Sequence, residues 1–573
     1  MPTFRATFKS FPFSRRISPI QERLHLHQQI TTTPINSNNR RSPNETTSSR
    51  DVYSRTKMIS SYVNDFRLDD ALQLFDETPL RDTVMWNSMI KGCVSCGSLE
   101  MGFKLFKEMP EKNVVSWTTM ISAFLKHGMV EEAKGLFQEM PARDTAAWNA
   151  VVHGLFANRR VEEATRLFEA MPDKNVISWT TMISGLDQIG KNDEALSMFV
   201  KMVGIGVKPT SSTLCSVLSS CGKLGEFCLG SQIHGQVAKL GYVLDTYVIA
   251  SLITFYANCK RVEECLRIFS EKLFKNVVVW TSLLTGYGAN DEHEDALRVF
   301  RDMMRLGVVP NQSSFTSALN SSCEIEAHDF GKGIHAAAVK LGLDTDVFVG
   351  NSLVVLYARC GSIHDGIRSF KGVANKNVVS WNAVIVGCAQ HGCGEWAVAF
   401  FGQMVKAGVN PDEITFTGLL SSCSHSGLLH KGRQLFECLR RNTMVEVKLE
   451  HYACMVDILC KSGELAEAED LVNKMPIKAN ASIWLALLSG CRAEAETEVA
   501  ERVAGRIFDL DPHCTAGYVL LSNIYAVVGR WDDVARVRRS MKAAGTLKQP
   551  GRSWVMHKDR SHSSDQQFEN VAL

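Results

Sequence analysis

The chain lacks the residue patterns that most enzyme classes need. Its 573 residues contain no Walker loop, no dinucleotide-binding glycine pattern after a strand, and no HExxH zinc motif. The sixteen histidines have no shared spacing. The sequence therefore predicts a protein that is not an enzyme and that has no catalytic residue, no metal site and no cofactor.

Long apolar runs and a basic surplus are also missing. No run approaches the roughly 18 apolar residues that a membrane helix needs, so we expect no membrane association. The chain has 63 basic and 61 acidic residues, and eight of the basic but only two of the acidic ones fall in residues 1–50. Residues 51–573 thus carry a net charge of −4. Any nucleic-acid binding must then depend on local basic strips and on contacts with bases.

The first fifty residues differ in composition from the rest. They are rich in Ser, Thr and Asn, and the pair Arg15 and Arg16 lies near several phenylalanines. A basic, acid-poor, Ser-rich start is typical of an organellar transit peptide, and a disordered tail without a targeting role is the alternative. The excess of arginine favours the mitochondrion over the plastid.

Internal repeats organise the remainder of the chain. Val114-Val-Ser-Trp-Thr-Thr-Met-Ile recurs with small changes from Val176, Val277 and Val378. Aligned on these anchors, residues 52–480 divide into thirteen units without gaps. The units are 52–82, 83–113, 114–144, 145–175, 176–210, 211–245, 246–276, 277–311, 312–346, 347–377, 378–412, 413–448 and 449–480.

Each unit predicts two antiparallel helices. In the third unit, apolar residues fall at helical spacing on both sides of Gly128, and Pro141 prevents the second helix from continuing. The two apolar stripes are Trp117, Met120, Ile121 and Phe124, then Val130, Ala133, Leu136, Phe137 and Met140. One hairpin cannot bury both stripes alone, so neighbouring hairpins must stack. The predicted fold is all-α: a right-handed α-solenoid superhelix of helix-turn-helix repeats with a concave groove.

Two sets of conspicuous residues are predicted to belong to the core. A tryptophan recurs at the fourth place of six units because the hairpin needs a large side chain there, and we do not expect these rings to form a stacking ladder. Seventeen cysteines without a secretory signal indicate reduced thiols. Cys93 and Cys96 form a lone CxxC without further ligands. Since Cys93 takes the place of Phe124 and Leu155 in other units, packing is a better explanation than zinc.

The amino-acid sequences of these motifs are specific to one protein family. The unit lengths, the Val-Val-Ser-Trp-Asn openings, Gly-Lys-Gly-Ile-His from Gly331 and Leu-Glu-His-Tyr-Ala-Cys-Met-Val-Asp from Leu449 resemble plant pentatricopeptide-repeat proteins with alternating P, L and S motifs. The resemblance covers about residues 51–556. It implies four S-type repeats over 51–175 and nine repeats in P-L-S triplets over 176–480.

The segment after the repeats resembles the E extension of organellar RNA-editing factors. We expect this helical extension over 481–548, where it either recruits a partner or only closes the end of the solenoid. Residues 549–573 are predicted to be a degenerate tail: Pro550-Gly-Arg-Ser-Trp matches the box that precedes a DYW-type deaminase domain, but the sequence ends at Leu573. The His-x-Glu and Pro-Cys-x-x-Cys strings of a zinc deaminase do not occur. Any editing chemistry must then come from a partner in trans.

The resemblance implies that two side chains in each unit read one RNA base. They stand at the fifth place of the first helix and at the unit's last place. An Asp only accepts hydrogen bonds, which suits the ring N–H of G or U, whereas an Asn amide can donate to A or C. In the family, Thr at the fifth place goes with purines and Asn with pyrimidines. The apolar second places, such as Val115, Ile177, Val278, Phe348 and Val379, either flank the bases or pack between helices.

The predicted reading pairs are Thr56 with Asp82, Asn87 with Asn113, Thr118 with Asp144, Asn149 with Asn175, Thr180 with Thr210, Thr281 with Asn311, Thr316 with Asp346, Asn351 with Asn377, and Asn382 with Asp412. The pair Thr180 and Thr210 has no assigned base. The units with Cys215, Ala250, Thr417 and Ala453 at the fifth place are also unassigned. The predicted ligand is 5′-G-Y-G-Y-n-n-n-A-G-Y-U-n-n, where Y is a pyrimidine. Helix capping is the alternative role for the last-place residues, but it does not explain the fifth places, which we expect to be exposed.

Three functions fit these features. The first is recognition of C-to-U editing sites in organellar single-stranded RNA, with a DYW-type deaminase or another editing partner supplied in trans. The second is RNA binding for splicing, transcript stability or translation. The third is a protein-interaction scaffold, because a repeat fold alone does not fix function.

Overall fold

The computed structural model describes residues 46–271, 276–442, 445–494 and 496–545. These residues form thirty α-helices, and no strand occurs among them. No described helix has the length and apolar character that crossing a membrane requires. The predicted targeting segment, apart from residues 46–50, and the predicted tail 549–573 lie outside the described residues.

The chain divides into two compact units, 1–291 and 292–573. The first contains α1 Thr46–Asn64, α2 Leu68–Asp76, α3 Thr83–Ser95, α4 Leu99–Glu108, α5 Val114–Lys126, α6 Val130–Glu139, α7 Thr145–Ala157, α8 Val161–Ala170, α9 Val176–Gln188, α10 Asn192–Gly204, α11 Ser211–Leu224, α12 Phe227–Lys239, α13 Thr246–Asn258, α14 Val262–Ser270 and α15 Val277–Ala289.

The second compact unit contains α16 His293–Arg305, α17 Gln312–Glu324, α18 His328–Lys340, α19 Val347–Arg359, α20 Ile363–Gly372, α21 Val378–Gln390, α22 Gly394–Lys406, α23 Glu413–Ser426, α24 Leu429–Arg441, α25 Leu449–Lys461, α26 Leu465–Lys474, α27 Ala481–Glu494, α28 Thr497–Leu510, α29 Thr515–Val527 and α30 Trp531–Ala543.

Within each compact unit the helices stack as hairpins. In the first, α5 packs against α6 of its own hairpin and against α7, the first helix of the next hairpin. In the second, α21 packs in the same way against α22 and α23. Both are therefore α-solenoids of helical hairpins, as the sequence predicts.

The helices begin where the repeat units begin. From α3 to α25, the first helix of each hairpin starts at the first residue of its sequence unit, and the last residue of the preceding unit is the N-cap. Only α1 starts earlier, at Thr46 instead of residue 52. Gly128, between α5 and α6, has φ +79°. This left-handed conformation suits glycine and allows the tight turn between the two helices.

Glycines let the first helices of neighbouring hairpins approach closely. A Cβ on Gly185, the tenth residue of its unit, would lie 2.3 Å from Phe156 Cδ2 of the hairpin before it. A Cβ on Gly490 would lie 2.5 Å from Cys460 Cβ. In both cases the opposing residue is the twelfth of its unit. In these hairpins the absence of a side chain at the tenth place thus allows the close spacing of the first helices.

The recurring tryptophans pack into the core, where four are buried and Trp117 and Trp148 are half-buried. The ring of Trp381 packs edge-on against Phe370 of the hairpin before it, with centroids 4.9 Å apart. Lys376 Nζ lies 5.2 Å from the Phe370 centroid and donates to Val373 O at 2.7 Å. The same edge-on contact joins Phe75 to Trp86, Phe106 to Trp117, Phe137 to Trp148, Phe168 to Trp179, and Phe269 to Trp280. Cys93 is fully buried, in agreement with a packing role.

Candidate nucleic-acid interface

The last-place residues are helix N-caps. Asp144 Oδ1 accepts a hydrogen bond from Ala147 N at 2.8 Å, and Asn113 Oδ1 accepts from Ser116 N at 3.0 Å. The same cap is made by Asp82, Asn175, Thr210, Asp245, Asn276, Asn311, Asp346, Asn377 and Asp412. Capping, which the sequence offered as the alternative role, is therefore a real function of these side chains.

Capping also fixes which group of each side chain remains for another partner. Because Oδ1 is held by the backbone, a capping Asn keeps its Nδ2, which only donates, and a capping Asp keeps Oδ2, which only accepts. The two roles are thus compatible, since the cap orients the side chain that is predicted to read a base. At Asp346, Oδ2 is already bound by Gln312 Nε2 at 2.7 Å, so this residue is a poorer reader.

The fifth places are not exposed, and this part of the prediction was wrong. Asn382 is only 6% exposed, and Thr180 is half-buried. At Asn382 and Thr180 the cause is the close stacking of first helices, because each of these side chains contacts the first helix of the next hairpin. Thr56, Asn149, Thr316 and Asn351 are also buried, and Asn87, Thr118 and Thr281 are half-buried.

Two predicted pairs are directly hydrogen-bonded. Asn382 Nδ2 donates to Asp412 Oδ1 at 2.9 Å, and Asn87 Nδ2 donates to Asn113 Oδ1 at 3.2 Å. Residues 30 and 26 positions apart in the sequence therefore lie side by side at the junction of two hairpins. Asn382 is therefore buried at the place where it lies close to its partner Asp412.

Threonine pairs are arranged differently. Thr180 and Thr210 each contact Thr213, with Oγ1–Oγ1 distances of 2.7 Å and 2.9 Å. Thr118 Oγ1 donates to Val114 O at 2.8 Å, within its own helix. Thr56, Thr281 and Thr316 make the same intrahelical bond. A hydroxyl used in this way presents only acceptor lone pairs to other groups.

The remaining predicted pairs are not joined by a direct hydrogen bond. Thr56 and Asp82, Thr118 and Asp144, Asn149 and Asn175, Thr316 and Asp346, and Asn351 and Asn377 are not bonded to each other among the described contacts. Thr281 belongs to the first compact unit and Asn311 to the second.

Apolar side chains project beside these pairs. Val115, one residue beyond the start of its helix, is 55% exposed, and Ile177 at the same place is 59% exposed. Tyr53, Val84, Tyr247, Phe348, Val379 and Ile414 are exposed second-place residues as well. Val278 is half-buried. Packing between helices, the alternative for these positions, therefore does not account for the exposed ones, which leave apolar surface near the starts of their helices.

Local charges near the ends of the first helices are largely neutralised. Lys223 Nζ lies 2.8 Å from Asp187 Oδ1, and Lys461 Nζ lies 2.7 Å from Asp457 Oδ2. Arg359 lies 3.0 Å from Glu324. These lysines and arginines are already paired, which agrees with the near-neutral charge of the body.

The third place of the following hairpin is a site residue that sequence reasoning missed. Thr415 Oγ1 donates to Asn382 Oδ1 at 2.6 Å and lies 2.9 Å from Asp412 Oδ1. Ser116 Oγ likewise donates to Asn113 Oδ1 at 2.9 Å. The recurring Ser in the Val-Val-Ser-Trp motif was the available signal, but it was noted only as part of the repeat.

The buried cysteines have the properties of core thiols. Burial raises the pKa of Cys93 to about 11, that of Cys323 to about 12 and that of Cys388 to about 12. Thiols of this kind remain protonated near neutral pH and are poor metal ligands or nucleophiles. Within the described ranges no group of three or more His, Cys, Asp or Glu is placed to hold a metal ion.

Family models match most of the chain. The PPR repeat model matches residues 53–79, 84–114, 115–144, 146–176, 414–444 and 450–478. The model of the PPR repeat family matches 174–223, 275–324 and 376–425, and the E motif model matches 494–556. Together the two repeat models cover more than half of the residues.

Proteins of Arabidopsis thaliana show the same resemblance in sequence. The chain is 51% identical over 357 residues to the mitochondrial pentatricopeptide repeat-containing protein At5g46460, an alignment covering 62% of this chain and 51% of that protein. It is 36% identical over 356 residues to the chloroplastic protein At1g08070, covering 62% of this chain and 48% of the relative. The chain spans about half the length of these curated relatives.

Solved structures show the same fold. The crystal structure of the pentatricopeptide repeat protein PPR10 in complex with an 18-nt psaJ RNA element is similar to this chain with a TM-score of 0.54 at 19% identity, covering 86% of this chain and 84% of that one. A complex of substituted PPR10 with the same RNA element gives a TM-score of 0.55 and the same identity and coverage. The repeats, the E motif and the stacked hairpins together identify this chain as a member of the pentatricopeptide-repeat family.

Proposed function

We propose that the chain binds single-stranded RNA sequence-specifically, with one base facing each hairpin. The observation that carries the proposal is the hydrogen-bonded pair Asn382 and Asp412, whose capping bond directs Asp412 Oδ2 away from the backbone. An outward acceptor suits the ring N–H of U, and Asn382 Nδ2 can donate to a pyrimidine carbonyl. The exposed apolar second places Val379 and Ile414 lie before and after this pair in the sequence and provide apolar surface for a base.

The fold of PPR10, which was crystallised with an 18-nt RNA, supports this proposal by similarity. The predicted ligand remains 5′-G-Y-G-Y-n-n-n-A-G-Y-U-n-n, and the hairpin 378–412 faces its eleventh base. Each good polar base contact contributes about 1–3 kcal/mol of discrimination. A few reading pairs that each discriminate between bases to this extent can select one site in a small organellar transcriptome.

The biological role that fits best is recognition of a C-to-U editing site in an organelle. The E motif match supports this role, and the relatives' names include both mitochondrial and chloroplastic proteins. The composition of residues 1–50 favours the mitochondrion. The chain acts without catalysing a reaction, so a DYW-type deaminase or another partner supplies the chemistry. Splicing, stability or translation of organellar transcripts is the second candidate, because it uses the same groove.

Titration of the full chain with labelled 13-nt RNAs tests base reading. The predicted sequence should bind at least tenfold more tightly than a scrambled RNA of equal composition, and replacing the eleventh U by A should weaken binding by about tenfold, or 1.4 kcal/mol. Equal affinity for all three RNAs would overturn the proposal and leave a protein-interaction scaffold.

Sequencing of organellar transcripts in plant tissue lacking the protein tests the editing role separately. We expect at least one normally edited cytidine to remain unedited, within a sequence that matches the predicted ligand. Full editing at every site, together with a change in splicing or transcript abundance, would favour the second candidate.

A further inference from the structure

The third residue of each first helix varies together with the fifth residue of the hairpin before it. Four hairpins carry Asn at the fifth place, and in all four the next hairpin has Ser or Thr at its third place. The four combinations are Asn87 with Ser116, Asn149 with Ser178, Asn351 with Ser380, and Asn382 with Thr415. Only two of the other nine junctions have a hydroxyl residue there, Thr213 and Ser314. Across the repeats, a hydroxyl residue at the third place thus accompanies an Asn at the fifth place of the preceding hairpin.

Thr415 shows the physical basis of this link. Its side chain is fully buried and its Oγ1 donates to Asn382 Oδ1 at 2.6 Å. Asn382 Nδ2 in turn donates to Asp412 Oδ1 at 2.9 Å. The amide of Asn382 is therefore held at both ends, with a second N–H of Nδ2 left to donate to a base.

At two other junctions the third-place hydroxyl does not bond to the fifth-place Asn. Ser116 and Ser380 donate to the last-place residues Asn113 and Asn377 at 2.9 Å and 3.1 Å. Asn87 Oδ1 and Asn351 Oδ1 are then buried without a hydrogen-bond partner among the described residues. A buried acceptor without a donor is unfavourable, so the Asn side chain is less firmly held there. Thr415 removes this penalty at Asn382.

The hydroxyl also completes a capping box, since Asp412 N donates to Thr415 Oγ1 at 3.1 Å, but a capped helix start forms without it. Val248, Val279 and Val349 occupy the same third place, and their backbone N–H groups still donate to the capping Asp or Asn at 3.2 Å, 3.1 Å and 3.1 Å. None of these valines follows a hairpin with Asn at the fifth place. A capped helix start therefore does not require the hydroxyl, which nevertheless occurs at all four junctions that follow an Asn at the fifth place.

We propose that Thr415 is a positioning residue for base recognition: it orients both Asn382 and Asp412. The hydroxyls of Ser116, Ser178 and Ser380 orient only the last-place residues of their pairs, Asn113, Asn175 and Asn377. The inference rests on the proposed RNA-binding function. It adds a third residue to each Asn-containing reading pair, and this residue belongs to the next hairpin.

The variant Thr415→Val tests the proposal, with Thr415→Ser as its matched control. Val has nearly the same shape, and the chain itself carries it at three equivalent places. We expect Thr415→Val to lower the discrimination between U and A at the eleventh base by about tenfold, whereas Thr415→Ser retains it within about threefold. Discrimination at the tenth base, which faces Asn351 and Asn377, should be unchanged in both variants.

The outcomes separate this inference from the proposed function. If Asp412→Asn changes the preferred eleventh base but Thr415→Val leaves discrimination intact, the proposed function stands and the positioning role of Thr415 is wrong. If Thr415→Val weakens binding equally for all bases and thermal unfolding shifts in parallel, Thr415 is only structural. If the unaltered chain shows no base preference at any position, both proposals fail.

Discussion

Gly154 lies so close to Leu125 of the preceding hairpin that a Cβ on it would stand 2.4 Å from Leu125 Cδ1 and 2.7 Å from its Cβ. The second of these atoms is fixed by the backbone of its helix, so the contact cannot be relieved by rotating a side chain. We expect Gly154→Ala to lower the free energy of unfolding by about 1–3 kcal/mol, measured by urea denaturation.

Gly135 provides the matched control, because it also lies within a helix of the same compact unit and a Cβ on it would meet no atom within 4 Å. Gly135→Ala should raise the free energy of unfolding by about 0.5–1 kcal/mol, since alanine is the better helix former. If both substitutions stabilise the protein, close stacking of the first helices is not a constraint.

Replacing a core tryptophan should destabilise the protein more than replacing an exposed one. Trp381 is buried against Phe370, whereas Trp531 is 67% exposed at the start of α30. Trp381→Ala should lower the free energy of unfolding by about 3–5 kcal/mol, and Trp531→Ala by less than about 0.5 kcal/mol. Urea titrations followed by circular dichroism measure both values. Similar losses in the two variants would contradict the burial of the repeating tryptophan.

Cysteine reactivity should follow burial. Burial raises the pKa of Cys221 to about 12 and that of Cys423 to about 11, so both thiols stay protonated and shielded at pH 8. Cys228 and Cys438 are exposed. Brief treatment of the native protein with a maleimide, followed by peptide mass spectrometry, should therefore modify Cys228 and Cys438 but neither Cys221 nor Cys423. Adding urea should expose all four, and rapid native modification of Cys221 would contradict the described core.

The near-neutral body predicts a weak dependence of RNA affinity on salt. Residues 51–573 carry a net charge of −4, and Lys223 and Lys461 are already paired with aspartates. We expect fewer than about three phosphates to be neutralised, which gives a slope of log affinity against log salt shallower than about −2. A slope steeper than about −4 would mean that phosphate attraction, not base contact, provides most of the affinity.

The sequence predicted the helical hairpins well because their signals are local. An Asn or Asp before most first helices, as at Asn113 and Asp144, both caps the helix and marks the unit boundary. The tryptophan and phenylalanine stripes fixed the core by their helical spacing. The start of α1 was predicted wrongly because Asp51 resembles the capping residues of later units but lies within the helix.

The detailed geometry of the interface could not be predicted because it depends on contacts between hairpins. Asn382 was expected to be exposed, but close stacking buries it against Thr415, 33 residues further along the chain. At this junction a Cβ on Gly418 would lie 3.0 Å from Val386 Cγ2, a constraint that appears only when the neighbouring helix is present. The pairing of Gln312 with Asp346, which occupies a predicted reader, likewise has no local sequence signal.

Base reading by a polar pair is tested most directly by exchanging the acceptor at one hairpin. Asp412→Asn keeps the capping oxygen Oδ1 that accepts from Thr415 N at 2.9 Å, so the fold is retained, but it replaces the outward Oδ2 by a donor. Titration with 13-nt RNAs that differ only at the eleventh base should show the preference move from U to C by about tenfold, or 1.4 kcal/mol. An unchanged preference for U in a folded Asp412→Asn variant would contradict the account.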